Sequence, residues 1–426
     1  MTNKRKKSFF NLPVCHSRRS RLLRDGKRRA NQGGNPGGNL GSPLKDCGDD
    51  IAFSCKTDFK SRGSESQCHL SQFQLAMKEF KKSPKALICL YILVVLYAAA
   101  IFADVLAPYH YNNEDRQHSY APPTKIHCID KGQLHFPFVY AQTFSFDEFH
   151  KRVYQEDTTQ KYSLRIFFKG DRYKFLGLIS TDIHLFGVEA PGKLYLFGAD
   201  SRGRDVFSRL LYGARISLSI GIIGVLISFI LGLLVGGIAG YYGGVVDNIL
   251  MRGCEMFMMV PGFYLMLALR SAVPENFSSL QVYFAVVVIL SFIGWAGLAR
   301  IIRGMSISLR EREYVLAAKA MGLSDFAIIT RHILPHTLSY SIVAIMLSIP
   351  GYILGEAALS LIGLGIQDPL ASWGNMLTDA MNIAHIQFHP WILLPGLFIF
   401  ITVISFNIVG DVLRDCFDPL MKGVEE

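Results

Sequence analysis

Six long apolar stretches constrain this chain more than any other feature of its sequence. A helix needs about 20 consecutive apolar residues to cross a hydrocarbon core about 30 Å thick. Half of the 426 residues are hydrophobic, and charged residues make up only 18%. We therefore predict an all-α integral membrane protein with six transmembrane helices. The predicted spans are residues 86–106, 214–240, 251–270, 279–299, 338–363 and 391–410.

The distribution of basic residues predicts how these spans are oriented. Six Lys and Arg residues lie in the loop 300–332, whereas 271–278 and 364–390 contain neither residue type. Short loops rich in basic residues remain on the cytoplasmic side of a membrane. We therefore expect the 300–332 loop and both chain termini to be cytoplasmic. The long segment 107–210 is then external, since long segments are translocated regardless of their charge.

Composition divides the chain into four parts. Residues 1–76 combine basic runs with a Gly- and Asn-rich stretch, which predicts a disordered extension and leaves open that translation starts at Met77. Residues 77–108 contain the first span, 109–200 form an external insertion, and 201–426 hold the other five spans. The net charge of +10 comes mostly from the first 85 residues. A cytoplasmic tail facing anionic lipid explains it better than a nucleic-acid-binding arm, so no nucleic-acid partner is expected.

The external insertion has the pattern of a small β-rich domain. Apolar and polar residues alternate in RIFFKGDRYKFLGL and in HLFGVEAPGKLYLFG. The dipeptides Gly170-Asp171 and Pro191-Gly192 are typical of turns. Two β-hairpins are therefore predicted, with their turns at these dipeptides.

Two spans carry features that affect helix packing. Gly232, Gly236 and Gly240 recur every four residues, and such a stripe lets another helix approach closely. This stripe serves packing within one subunit or a subunit interface, and we favour the first. Pro261 removes a helical hydrogen bond, so the third span should be kinked there.

The motifs of catalysis are missing from the sequence. It contains no GxxxxGK[ST] phosphate-binding loop, no HExxH and no GxSxG, and its eight cysteines do not have metal-site spacing. We therefore expect no enzyme activity, no bound cofactor and no metal. Three acidic residues lie within predicted spans: Asp104 and Glu255 near their ends, and Glu356 deeper. Such residues usually mark function, and Glu356 either faces a translocation pathway or bonds to a neighbouring helix.

The stretch REREYVLAAKAMGLSDFAIITRHILPH, residues 310–336, contains more structure than a connecting loop needs. It predicts a short helix over 311–321 that ends at Gly322 and a new span that begins at Pro335. Close backbone approach is possible at the small residues Ala317 and Ala318. We expect a docking helix whose partner-facing side carries Tyr314, Val315, Ala317, Ala318 and Met321.

This stretch resembles the EAA loop of the membrane subunits of ABC importers, in which Glu-Ala-Ala is followed by Gly and then by Ile-x-Leu-Pro. Leu316 and His332 depart from that pattern, and Glu313 one turn earlier could replace the missing acidic residue. Five residues match the pattern: Ala317, Ala318, Gly322, Leu334 and Pro335.

Further segments are similar to the second, C-type permease subunit of the dipeptide, oligopeptide and nickel branch. They include FADVLAPY, GYYGGVVDNILMR, EAALSLIGLGIQDPLASWGNML and FNIVGDVLRDCFDP. FGADSRGRDVFSRLLYGARISL also matches, and its Gly203, Arg204 and Asp205 form a candidate extracytoplasmic site. Arg204 and Asp205 position the segment before the second span, meet a binding protein or form a structural ion pair.

The resemblance implies half of a peptide translocation pathway in the bacterial inner membrane. The implied partners are a second homologous permease, two cytoplasmic ATP-binding subunits that hold ATP and Mg²⁺, and an extracytoplasmic solute-binding protein. The transported substrate would be a peptide, and membrane lipid would surround the subunit. The ATP-binding subunits would grip the coupling loop, residues 304–335, through Glu313, Tyr314 and the matched residues. A stand-alone carrier or channel is the alternative.

Overall fold

A computed structural model describes residues 72–130, 133–148, 152–175 and 179–417 of the chain. The predicted extension 1–76 lies outside these residues except for its last five positions. Those five begin α1, which continues through Met77. The first part of the described chain holds α1 (Gln72–Phe80), α2 (Pro84–Ile101), α3 (Ala103–Leu106), β1 (His127–Asp130), β2 (Gln133–Phe146), β3 (Arg152–Phe175) and β4 (Ile179–Val188).

The second part of the chain is helical. Short 3-10 segments connect some of its elements, and a π-helical turn, Ile329–Ile333, precedes one long helix. The helices are α4 (Val206–Tyr242), α5 (Gly244–Met259), α6 (Gly262–Ser271), α7 (Ser279–Arg310), α8 (Glu313–Ala320), α9 (Asp325–Ile328), α10 (Leu334–Leu361), α11 (Trp373–Met376), α12 (Ile383–Phe388) and α13 (Leu394–Phe417).

Five of the six predicted spans are confirmed as helices long and apolar enough to cross a membrane. They correspond to α2, α4, α7, α10 and α13. The third predicted span is instead two helices, α5 and α6, which meet at an angle of 88°. Pro261 caps the start of α6, so the predicted kink is a complete break in the helix.

The glycine stripe of α4 packs against α7 of the same chain. A Cβ on Gly232 would lie 2.9 Å from Leu298, and one on Gly240 would lie 2.7 Å from the carbonyl oxygen of Arg303. These distances are too short for any larger residue at the two positions. The favoured alternative, packing within one subunit, is therefore confirmed.

The predicted β-rich insertion is an antiparallel sheet in the order β1-β2-β3-β4. β3 pairs with β2 through its first half and with β4 through its second half. The predicted turn at Gly170-Asp171 is wrong, since both residues lie inside β3 at a shift of register. Pro191-Gly192 does turn the chain, with Gly192 donating to the carbonyl oxygen of Glu189 at 2.9 Å. No strand follows that turn in the described chain, so it closes no hairpin.

Candidate functional site

Helix α8 of the coupling loop is held against the rest of the protein by one apolar face. Val315 and Ala318 are buried against Ile328 and Ile333, with Leu309 beside them. The other predicted docking residues, Tyr314, Ala317 and Met321, are exposed. At 3.6 residues per turn the five predicted positions share an arc of about 160°, in the order 317, 321, 314, 318, 315, so they do lie on or near one side of the helix. Val315 and Ala318, at one end of that arc, are buried within this chain, so only the other three are left for a partner.

Gly322 ends α8 in a left-handed conformation, with φ of +79°. The N–H of Leu323 donates to Ala318 O at 3.2 Å, and the N–H of Gly322 donates to Lys319 O at 3.0 Å. This pair of bonds is the Schellman motif, and Leu323 packs against the apolar cluster that contains Ala318. The predicted role of Gly322 as the helix stop is confirmed.

The helix after this turn runs without a break into the next span. α9, the π-helical turn and α10 form one continuous helical stretch, Asp325–Leu361. Leu334 and Pro335 lie in the first turn of α10. The π-helical turn departs from the regular hydrogen-bond pattern of the helix. It ends at Ile333, two positions before Pro335, which has no backbone N–H to donate. The prediction that the new span begins at Pro335 is therefore wrong: the helical stretch begins at Asp325, and Pro335 is the second residue of α10.

Two side-chain contacts tie the coupling loop to α4 and α10. Tyr241, one residue from the end of α4, donates from its hydroxyl group to Asp325 Oδ1 at 2.7 Å. The Tyr314 ring stacks on that of His336, with 5.0 Å between centroids. A displacement of α8 or α9 would thus be passed directly to both long helices.

The outer surface of the coupling loop carries exposed apolar side chains. Leu316, which replaces the acidic residue of the family pattern, is 54% exposed, and Phe326 is 72% exposed. Glu313 is exposed as well.

A second candidate site is the charge cluster of Asp200, Arg204, Arg209 and Asp368. Arg204 donates from Nε to Asp200 Oδ2 at 2.7 Å and from Nη1 to Asp368 Oδ1 at 2.8 Å. Arg209 donates from Nη2 to Asp368 Oδ1 at 3.3 Å. Burial acts to lower the pKa of the Arg204 guanidinium, but the carboxylates of Asp200 and Asp368 outweigh it, and the pKa is raised. The cluster joins the turn before α4 to the loop after α10.

The other two residues of the predicted extracytoplasmic site shape that turn. Gly203 has φ of +77°, and a Cβ there would collide with the carbonyl oxygen of Asp115. Asp205 caps α4, since its Oδ2 accepts from the N–H and the hydroxyl group of Ser208 at 2.8 and 2.6 Å. Burial raises the pKa of its carboxyl group to about 7. Arg204, in the cluster, and Asp205, in the cap, are thus placed in different networks.

Glu356 is completely buried. Its carboxylate accepts from Ser217 Oγ on α4 at 3.1 Å and from Ser360 Oγ at 2.7 Å. Ser217 Oγ in turn accepts from the N–H of Trp373 at 3.1 Å. Two alternatives were left open for Glu356: facing a translocation pathway or bonding to a neighbouring helix. The structure supports the second, since Glu356 bonds to Ser217 of α4. Its side chain does not line a surface of this chain.

The other two acidic residues predicted near span ends are both paired. Asp104 Oδ2 lies 3.0 Å from Arg215 Nη2, and Glu255 Oε2 lies 2.8 Å from Arg252 Nη1.

Long apolar helices, a broken span and a folded loop at the end of the helix bundle define a multi-pass membrane protein. Residues 232–423 match the family model described as binding-protein-dependent transport system inner membrane component. Residues 71–123 match the model described as N-terminal TM domain of oligopeptide transport permease C. The β-sheet lies wholly between these two matched ranges.

Several curated proteins are similar to this chain over its greater part. The dipeptide transport system permease protein DppC of Bacillus subtilis is 40% identical over 233 residues, which are 54% of this chain and 71% of DppC. OppC, the oligopeptide transport system permease protein of the same organism, is 36% identical and covers 59% of this chain and 78% of its own length. The glutathione transport system permease protein GsiD of Pectobacterium atrosepticum is 40% identical over 55% of this chain and 76% of its own.

Solved structures give a weaker likeness. The inward-facing MetNI methionine ABC transporter aligns with a TM-score of 0.38 at 18% identity, covering 49% of this chain and 96% of the other. That likeness adds nothing to the assignment made from the sequence relatives. The chain belongs to the family of inner membrane components of binding-protein-dependent transport systems. Within it, the predicted resemblance to C-type permease subunits is confirmed.

Sequence reasoning did not single out Asp200, Arg209 or Asp368 as site residues. All three lie in the segments that resemble the family, so a signal was present. However, Arg204 and Asp368 are 164 positions apart, and nothing in the sequence pairs them. Phe326 was missed because an exposed aromatic residue in an apolar-rich segment has no pattern that separates it from a buried one.

Proposed function

We propose that this chain forms half of the translocation pathway of an ATP-driven importer of peptides. A second, related permease subunit would form the other half, and an extracytoplasmic binding protein would deliver the peptide. Two cytoplasmic ATP-binding subunits would supply the energy, with ATP and Mg²⁺ held by those subunits. In this arrangement both chain termini and the coupling loop face the cytoplasm. Peptide cargo is favoured because the similar proteins include dipeptide and oligopeptide permeases.

The observation that carries this proposal is the construction of the coupling loop. α8 is anchored by Val315 and Ala318, so it can transmit force, while Tyr314, Leu316 and Phe326 remain exposed for a partner. A ligand shifts a two-state equilibrium only by its difference in affinity for the two states. An ATP-binding subunit that holds α8 differently before and after closure would supply that difference.

Affinity purification from native membranes, followed by transport in proteoliposomes, tests the proposal. A tag on this chain should recover a second permease and two ATP-binding subunits. Reconstituted with the binding protein, that complex should take up a labelled dipeptide or oligopeptide only when ATP is present. Uptake driven by an ion gradient without any ATP-binding subunit would instead support a stand-alone carrier and overturn the proposal.

A further inference from the structure

We propose that the β3–β4 hairpin of the insertion rests on the outer leaflet of the membrane. The contact surface consists of Phe102, Phe175 and Ile179. These side chains contact lipid at the depth where the acyl chains meet the headgroups. This inference depends on the chain spanning a membrane and does not depend on the cargo. It assigns to the sheet a role in binding lipid.

The length of α2 places the outer boundary of the hydrocarbon near Ile101. α2 has 18 residues. At 1.5 Å per residue it is about 27 Å long, slightly less than the thickness of about 30 Å that a span must cross. Both of its ends must therefore lie close to the two boundaries of the hydrocarbon core.

The ion pair of Arg215 and Asp104 is independent evidence for the position of the outer hydrocarbon boundary. Arg215 donates from Nε to Ala100 O at 3.0 Å and from Nη2 to Ile101 O at 3.1 Å, and it pairs with Asp104. These carbonyl groups are among those that the last turn of a helix leaves without a partner. Charged side chains near helix ends reach the polar interface, because burial in hydrocarbon is costly. The last turn of α2 therefore lies at the interface.

The β3–β4 hairpin reaches this level through a contact between rings. Phe175 stacks on Phe102 with 5.9 Å between centroids and 19° between the ring planes. Ile179 pairs with Phe175 across the two strands, so the two side chains share a face of the sheet. Midway along the hairpin, His184 Nδ1 lies 2.6 Å from Ala107 O. The hairpin is thus fixed against the chain that leaves α2.

The exposed surface of α2 favours lipid as the occupant. Ile88, Tyr91 and Val95 are exposed and follow one another at helical spacing along one side of α2. Phe102 continues that side and is 49% exposed. Ile179 is 65% exposed and extends the apolar surface from the helix onto the sheet. A surface continuous with the outside of a spanning helix meets the same lipid that the helix meets.

Fluorescence quenching of the full-length chain in lipid nanodiscs tests the proposal. A single cysteine would replace Ile179 in a version whose eight native cysteines are alanine, and it would carry an environment-sensitive fluorophore. Phe136→Cys is the matched control, because Phe136 is 86% exposed in the part of β2 that pairs with β1. A non-natural fluorescent amino acid at the same two positions replaces this scheme if the cysteine-free chain does not fold.

We expect spin-labelled lipid to quench the probe at 179 several-fold more strongly than the probe at 136. Aqueous iodide should show the reverse order. Equal quenching of the two probes by lipid would overturn the proposal. Shielding of position 179 from both quenchers would also overturn it, since a protein surface would then cover the hairpin.

Discussion

Gly322 sets the direction in which the chain leaves α8, and its backbone conformation explains why a glycine is there. A left-handed φ costs a residue with a Cβ roughly 1–2 kcal/mol, and a β-branched residue more. Space is not the constraint, since a Cβ at this position would have no neighbour within 4 Å in the described chain. Substitutions of Gly322 therefore report on backbone geometry alone.

Replacing Gly322 with valine should leave the protein in the membrane but lower ATP-driven uptake, because strain at this position moves α8 relative to its anchoring residues. Gly322→Asn should lose much less, since asparagine tolerates the left-handed conformation. The measurement is peptide taken up per ATP hydrolysed in proteoliposomes. Normal uptake by the valine variant would contradict the lever role of the loop.

At the same scale, Asp205 makes folding stability depend on pH. The pKa of its carboxyl group is about 7 in the folded protein, against about 3.9 in an unfolded chain. Its contribution to stability is therefore fully present below pH 4 and is lost as the pH rises through 7. Asparagine caps helices as well as aspartate does, so Asp205→Asn removes the titration and keeps the cap.

We expect the melting temperature of Asp205→Asn in detergent to rise relative to that of the unmodified protein between pH 4 and pH 8. Differential scanning fluorimetry at several pH values measures this difference. If the two proteins differ by a constant amount at every pH, Asp205 does not titrate in this range.

At the scale of elements, α8 is a short helix whose position depends on tertiary packing. Isolated helices of about eight residues are unstable in water, so its eight residues rely on the contacts of Val315 and Ala318. The neighbouring residue Ala317 has the same side chain but is exposed. The same substitution at Ala317 and at Ala318 therefore distinguishes the effect of packing on α8 from the effect of helix propensity.

Ala318→Leu should displace α8 and reduce coupling, because extra methylene groups in a filled contact cost about 1–3 kcal/mol. Ala317→Leu adds the same volume toward solvent, so it should keep α8 in place. Hydrogen exchange at the backbone N–H groups of α8 reports whether this helix stays packed in each variant. Equal exchange in the two leucine variants would show that the inner face does not hold α8.

At the scale of the whole molecule, the coupling loop and the charge cluster lie at opposite ends of the same two helices. α4 begins beside Arg204 and Arg209 and ends at Tyr242, next to the bond between Tyr241 and Asp325. α10 begins within the coupling loop and ends shortly before Asp368. α7 also joins the two ends, since Ser279 at its start donates to Asp368 O at 3.2 Å and its last residue, Arg310, lies just before α8. Motion of the loop relative to the cluster therefore involves these three helices.

Arg204→Met should lower the free energy of unfolding by about 1–3 kcal/mol, because Asp200 and Asp368 each lose their shortest ion pair and keep the longer contacts to Arg209. The double variant with Asp368→Asn should lose less than the sum of the two single changes, with a coupling of at least about 1 kcal/mol. Arg202→Met is the control, since this half-exposed side chain also contacts Asp368, at 3.3 Å, and should cost under about 1 kcal/mol. Denaturant titration in mixed micelles measures all four variants, and strict additivity would contradict the cluster.

The sequence by itself determined the features that depend on local chemistry. Apolar length specifies the spans, because any stretch long enough to cross lipid must be helical. Gly322 specifies the end of α8, and Pro261 specifies the interruption of the third span, since each acts on its own backbone. The glycine stripe of α4 likewise predicted close packing with another helix, although the sequence did not identify that helix.

Tertiary structure decided everything that requires two distant segments to meet. It divided the predicted docking face of α8 by burying Val315 and Ala318, and it turned the kink at Pro261 into an 88° break. It also brought Asp368 to Arg204 and directed Glu356 into the protein interior. The physical reason is that burial and ion pairing depend on which surfaces come together, whereas turns and helix ends depend on the residues that form them.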